Sequence, residues 1–143
     1  MAFGVVIDQH PLSISQQEYR DLLSKYGVIV VKGYPLSNED QNTVMSYYGV
    51  LQDWEEQQAP IKYVDENNSS IINLSNNDFL GKSRMGWHTD QTYLQTSYLP
   101  IRSLYSTYIP TPGNITSFLD IFTMTDLLLN EYPELVNITA TFS

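Results

Sequence analysis

His88 and Asp90 stand two residues apart in the stretch Met85-Gly86-Trp87-His88-Thr89-Asp90-Gln91-Thr92-Tyr93. In an extended backbone alternate side chains face the same side, so this spacing points an imidazole and a carboxylate one way and Thr89 the other. A neutral imidazole nitrogen and a carboxylate oxygen are two of the three protein ligands of the 2-His-1-carboxylate facial triad, which leaves positions on non-haem Fe(II) open for cosubstrate and oxygen. The third ligand has to come from elsewhere. A chain with 16 acidic residues and two histidines produces a His-x-Asp triplet readily by chance. Taken alone, the triplet reads as a surface histidine beside a solvated aspartate on an exposed strand. The flanking residues decide between the two readings.

Trp87-His88-Thr89-Asp90-Gln91-Thr92-Tyr93 resembles the Trp-His-Thr-Asp-x-Thr/Ser-aromatic signature of the taurine dioxygenase (TauD/TfdA-like) family of Fe(II)- and 2-oxoglutarate-dependent oxygenases. The likeness continues through Pro100, Leu104 and Tyr105. It then reaches Pro112-Gly113-Asn114-Ile115-Thr116-Ser117-Phe118-Leu119-Asp120, which is similar to the family's Gly-Gly-Asp-Thr-x-Phe-x-Asp turn and strand. Upstream, residues 12–51 follow the family's order of opening helix, buried strand and second helix.

Carried over residue by residue, the resemblance implies that His88 and Asp90 are the first two iron ligands. It also implies that Thr116, 28 residues after His88, hydrogen-bonds the carboxylate of 2-oxoglutarate. A hydroxyl there can donate to an anionic oxygen, although a strand-forming threonine after a turn explains the same residue. Arg84, four positions before His88, reads first as a surface arginine and second as a contact for an anionic substrate. The implied fold is a double-stranded β-helix, or jelly roll, mainly β with flanking helices and the metal in the mouth of the barrel.

In the family the second histidine and the arginine that pairs with 2-oxoglutarate lie far downstream, on the closing strands, and here nothing follows Ser143. His10 is the only other histidine. It precedes the motif and adjoins Pro11 in an expected loop, so it is not promoted to the missing ligand. The chain therefore reads as the N-terminal part of one TauD-like oxygenase domain over residues 1–143, with its jelly roll incomplete at the C-terminus.

Two functions follow from different classes. One is an oxygenase component that hydroxylates or oxidatively cleaves a small molecule, with a second copy or a complementing C-terminal chain supplying what is missing. The other is an inactive truncated remnant or split-gene component that interacts through unpaired sheet edges.

The elements that must position this motif are legible in the preceding residues. Residues 3–7 form a short apolar run that reads as an opening strand. Ser15 with Glu18 has capping-box form, Tyr19, Leu22, Leu23 and Tyr26 recur at helical spacing, and Gly27 stands where a C-terminal cap belongs. Residues 28–32 are β-branched and apolar throughout, as in a central strand buried on both faces. Ser37 with Asp40 starts a second helix whose Val44, Met45, Tyr47 and Tyr48 read as core, with Gly49 as its stop.

Asp53, Glu55 and Glu56 read as a solvated loop rather than a cation site. Residues 61–64 and 71–74 read as hairpin strands joined by a polar loop at 65–70. The polar segment 75–84 is where a substrate-covering loop would sit. Residues 102–109 and 116–120 are expected strands, and 123–132 a helix that buries Leu127, Leu128 and Leu129 and closes at Pro133. A further β-branched stretch begins at Leu135. No repeat or linker divides the chain.

Sixteen acidic against seven basic residues give a formal charge of −9, and no run of Lys or Arg is present to meet phosphates, so nucleic acid is not an expected partner. The 42% hydrophobic content over 143 residues suffices for one core. Zero cysteines exclude a disulfide framework and a thiolate metal site. With neither a signal peptide nor a membrane span in the sequence, the expected compartment is the cytoplasm.

Overall fold

The computed structural model describes residues 2–52, 64–73, 86–89, 101–108 and 115–137. The N-terminal body is built from strand β1 (Val5–Ile7), helix α1 (Gln16–Tyr26), strand β2 (Ile29–Val31) and helix α2 (Asn38–Ser46). β1 and β2 pair in parallel, with Val5 opposite Ile29, Val6 opposite Val30 and Ile7 opposite Val31. A parallel pair needs a crossover, and α1 supplies it.

Each end of α1 follows from its residues. Ser15 Oγ accepts the Glu18 amide at 3.2 Å and so satisfies one of the otherwise unpaired N-terminal donors. At the other end Gly27 adopts φ 71° and donates its N–H to the Leu23 carbonyl at 2.8 Å. A Cβ at Gly27 would meet the Phe3 ring at 3.0 Å, so glycine is required there by backbone conformation and by space alike.

α2 starts on a complete capping box. Ser37 Oγ accepts the Asp40 amide, and the Asp40 carboxylate accepts the Ser37 amide at 2.9 Å. That bond and a second one from the Ser37 hydroxyl hold the Asp40 carboxyl below its usual range. The helix ends at Ser46, earlier than its sequence pattern suggested, so Tyr47 and Tyr48 lie in the turn beyond it. Their rings close on Tyr19 of α1, with centroids 5.9 and 6.4 Å away. From α1, Gln16 Nε2 and Arg20 Nε both donate to the Tyr47 carbonyl, at 3.0 and 2.8 Å. A guanidinium at a helix C-terminus meets the negative end of the backbone dipole as well as an unpaired carbonyl. Ile14 and Tyr19 are the buried hydrophobic residues, so the described core lies between α1 and the start and end of α2.

A hairpin of β3 (Val64–Asp65) and β4 (Asn68–Ile72) pairs antiparallel, with Val64 opposite Ile72. The expected loop at 65–70 contracts to a turn at Glu66 and Asn67, and residues 68–70 join the strand. Asp65 causes this, because its carboxylate accepts the Asn67 amide at 3.0 Å and closes the turn locally. The same carboxylate accepts from Asn73 and from Asn38 of α2, each at 3.0 Å, while Asn42 of α2 donates to Asn68 at 2.9 Å. Side-chain amides therefore dock the hairpin on α2. The Asn73 bond first, then the Asn67 amide, lower the Asp65 carboxyl.

The later elements differ more from the sequence reading. Residues 101–108 form no strand. They are held instead by side chains: Tyr105 Oη accepts the Leu36 amide at 3.1 Å, and Ser103 Oγ accepts from Gln41 Nε2 at 2.7 Å. Residues 115–120 are likewise not a strand. Asp120 is the N-cap of helix α3 (Ile121–Glu131), accepting from the Thr123 amide at 3.1 Å and the Thr123 hydroxyl at 2.6 Å. Those two bonds hold the Asp120 carboxyl below its usual range, and the cap draws Ile121 and Phe122 into the helix.

Leu127, Leu128 and Leu129 are not a buried row: Leu127 is 64% exposed, Leu128 is exposed and Leu129 is half-buried. Three consecutive residues point to three sides of a helix, and among the described elements the main contact of α3 is the 3-10 turn Pro133–Asn137 that follows it. That turn also replaces the β-branched strand expected from Leu135, as far as Asn137. Among the described residues helix outweighs strand, and no helix is long and apolar enough to cross a membrane.

Candidate metal centre

His88 lies in an exposed piece of chain, residues 86–89, that bends at Trp87, itself 66% exposed. Its ring is oriented from within the motif. Nδ1 lies 2.9 Å from the Gly86 carbonyl oxygen, which can only accept, so Nδ1 carries the proton in this contact. In the neutral ring that leaves Nε2 as the acceptor nitrogen, the atom able to coordinate a cation. Metal-ligating histidines are oriented in this way, with the other ring N–H given to a carbonyl or carboxylate that fixes the tautomer. A Cβ at Gly86 would meet nothing within 4 Å, so neither space nor backbone conformation demands glycine there. An imidazole held in this tautomer is of the chemistry that a non-haem Fe(II) site uses.

Asp90 and Arg84 lie outside the described residues, as do all of the expected loop at 75–84, the acidic cluster at Asp53, Glu55 and Glu56, and Pro100. Thr116 is described and exposed, in the irregular segment four residues before the Asp120 cap rather than on a strand. Among the described residues no group of three or more His, Cys, Asp or Glu side chains could hold a metal ion.

His10 is engaged elsewhere. Its Nδ1 accepts the Leu12 amide at 3.3 Å as the cap of the 3-10 turn Pro11–Ser13, and its ring meets Tyr34 edge-on at 5.5 Å. Holding the amide requires the opposite tautomer from that of His88.

Two contacts, one within the motif and one that anchors Tyr105, were not foreseen from sequence. The Gly86 carbonyl is backbone and leaves no side-chain signal. Tyr105 was noted as part of a motif, but its partner Leu36 lies 69 residues away, and a bond to a main-chain amide has no pattern in sequence.

A segment that presents a backbone-oriented imidazole within Trp-His-Thr-Asp, downstream of a strand-helix-strand-helix body, is the arrangement expected of a metal-dependent oxygenase. The family model described as "Taurine catabolism dioxygenase TauD, TfdA family" matches residues 4–143, and the chain belongs to that family. Its members are generally Fe(II)- and 2-oxoglutarate-dependent dioxygenases with a cupin-type jelly roll; the described residues form small sheets and helices and no closed barrel. No curated protein and no solved structure matches the chain.

Proposed function

We propose that this chain is an Fe(II)- and 2-oxoglutarate-dependent oxygenase component that hydroxylates or oxidatively cleaves a small molecule in the cytoplasm. The observation that carries this reading is the contact between His88 Nδ1 and the Gly86 carbonyl, within the family's motif, which sets Nε2 for coordination. His88 and Asp90 hold the iron. Thr116 donates its hydroxyl to a carboxylate oxygen of 2-oxoglutarate, and Arg84 pairs with an anionic group of the substrate. Bound there, iron and 2-oxoglutarate supply oxygen activation coupled to oxidative decarboxylation, which releases succinate and CO2.

With His10 committed to its turn, the third ligand and the arginine for the distal carboxylate are supplied from outside the described residues. Neither nucleic acid nor a membrane is a partner.

A second reading is an inactive remnant or split-gene component. The experiment is succinate formation from 2-oxoglutarate and Fe(II) by this chain mixed with the polypeptide encoded immediately downstream. Turnover that His88→Ala or Asp90→Ala abolishes supports the oxygenase. Iron binding without turnover in any mixture supports the remnant.

A further inference from the structure

His10 closes the connection between β1 and α1 with both its side chain and its backbone. Its Nδ1 accepts the Leu12 amide at 3.3 Å, and its carbonyl accepts the Ser13 amide at 2.8 Å and the Ser13 hydroxyl at 2.7 Å. The turn so formed carries Pro11 and Ile14 into the core, leads into the Ser15 cap of α1, and packs on α2. Of these three bonds the first alone depends on the charge of the ring, because Nδ1 accepts only while it carries no proton. Imidazole is the side chain that changes charge between about pH 5 and 8.

The titratable groups that face this ring from other elements are Tyr34, edge-on at 5.5 Å in the connection between β2 and α2, and Asp40 of α2. Asp8 precedes it on its own segment. Of these side-chain types imidazole alone titrates in that window. The Asp40 carboxylate uses Oδ2 for the capping box, accepting both the amide and the hydroxyl of Ser37, while its Oδ1 accepts no hydrogen bond among the described residues. The two Ser37 bonds hold the Asp40 carboxyl low, and the positive charge of the His10 ring adds to them. A charged ring therefore loses one partner within its turn and faces another across the turn's contact with α2.

We infer that His10 is a pH-sensitive latch: neutral, it caps its own turn; charged, it leaves the Leu12 amide and pairs with Oδ1 of Asp40, tying the connection between β1 and α1 to the start of α2. Acidification exchanges a bond inside the turn for one between two elements. The capping box of α2 survives the exchange, since it uses the other carboxylate oxygen. The start of α2 also holds residues 101–108, through Leu36 with Tyr105 and Gln41 with Ser103. The latch thus acts on the element that anchors the chain downstream of the His88 motif.

The test is solution NMR of the full chain without metal, from about pH 8 to about pH 5. At the upper end, long-range proton–nitrogen spectra are expected to show His10 protonated at Nε2 and His88 at Nδ1, a readable contrast in a chain with two histidines. As His10 takes up its proton, the protection factor of the Leu12 amide is expected to fall at least about threefold. Contacts between the His10 ring protons and the Asp40 methylene are expected to appear with the same midpoint. The Ser13 amide, held by the His10 carbonyl, should keep its protection. His10→Asn retains an acceptor that does not titrate, so Leu12 stays protected throughout, whereas His10→Ala leaves it unprotected throughout. Asp40→Asn should remove the contact formed in acid. Leu12 protection that is equal at both ends, a loss that persists in His10→Asn, or a charged ring without contact to Asp40 overturns the inference. None of these readouts involves iron or turnover, so failure here is told apart from failure of the oxygenase reading.

Discussion

The hydroxyl of Tyr48 donates to the main-chain carbonyl of Tyr19 at 3.2 Å, while the hydroxyl of Tyr19, buried against the rings of Tyr47 and Tyr48, has no hydrogen-bond partner. One phenol in the α1–α2 contact is satisfied and the other is not. A buried hydroxyl left unpaired costs about 1–3 kcal/mol relative to a hydrogen-bonded one. Tyr19→Phe keeps the ring, which is 3% exposed, and removes the unpaired group. We expect it to stabilise the chain by about 1 kcal/mol, read as a higher urea midpoint at unchanged slope. A loss of stability would mean that Tyr19 Oη has a partner.

The same burial sets an alkaline limit. Desolvation first, then the neighbouring Tyr48, Tyr47 and Glu18, push the Tyr19 phenol up to about 12. Its folded value is therefore raised above the ordinary one near 10. The stability tied to keeping it neutral is full below about pH 10 and is lost as pH rises through 12. Phenolate absorbance should show a last titration step that Tyr19→Phe removes. Complete ionisation of all tyrosines together near pH 10, with the helices intact, would contradict it.

Asp65 sets the acid limit. Its lowered carboxyl accepts from Asn67, Asn73 and Asn38, so the contribution of the ionised form is present above the unfolded value near 4 and is lost as pH falls through the lower folded value. Amide exchange at residues 68–72 is expected to accelerate below about pH 4, ahead of exchange in α1. Asp65→Ala should abolish that protection at neutral pH. Protection that survives both treatments would show that the hairpin is held by packing rather than by this carboxylate.

How far the fold was legible in the sequence depended on the range of the interactions. α1 and α2 were readable because their caps, Ser15 with Glu18 and Ser37 with Asp40, and the terminal Gly27 act within a few residues. β1 and β2 were readable as apolar runs between turn signals. The start of α3 was missed because Ile115, Leu119 and Ile121 fall on one side at strand spacing after a turn signal, while the decisive interaction is Asp120 with Thr123. Residues 102–108 were misread for a related reason: Tyr105, Thr107 and Tyr108 favour strands, but a strand exists only where a neighbouring strand accepts it. Of the site, the types and spacing of His88 and Asp90 were visible, and the Gly86 carbonyl that sets the imidazole was not.

Tyr105→Phe tests the tie between α2 and the segment that follows the motif. It deletes the acceptor of the Leu36 amide while retaining the ring. We expect a loss of about 1 kcal/mol and faster exchange at Leu36. Exchange within α1 should not change. If Leu36 keeps its protection in the variant, the amide has another acceptor and the tie runs through Ser103 and Gln41 alone.

The last expectation concerns the chain by itself. A facial triad needs three protein ligands, and the chain has two histidines, of which His10 holds the Leu12 amide through Nδ1 and packs against Tyr34. Recruiting His10 to iron would cost that turn its cap and the ring contact. The 143-residue chain is therefore expected to bind Fe(II) weakly and to form no appreciable succinate from 2-oxoglutarate. His88→Ala should remove the residual iron binding, because it deletes the one imidazole whose tautomer is already set for coordination, whereas His10→Ala should leave it unchanged. Isothermal titration with Fe(II) under anaerobic conditions reads the first quantity, and succinate analysis under air the second. Robust succinate formation by the chain alone, abolished by either substitution, would show that His10 leaves its turn to complete the triad.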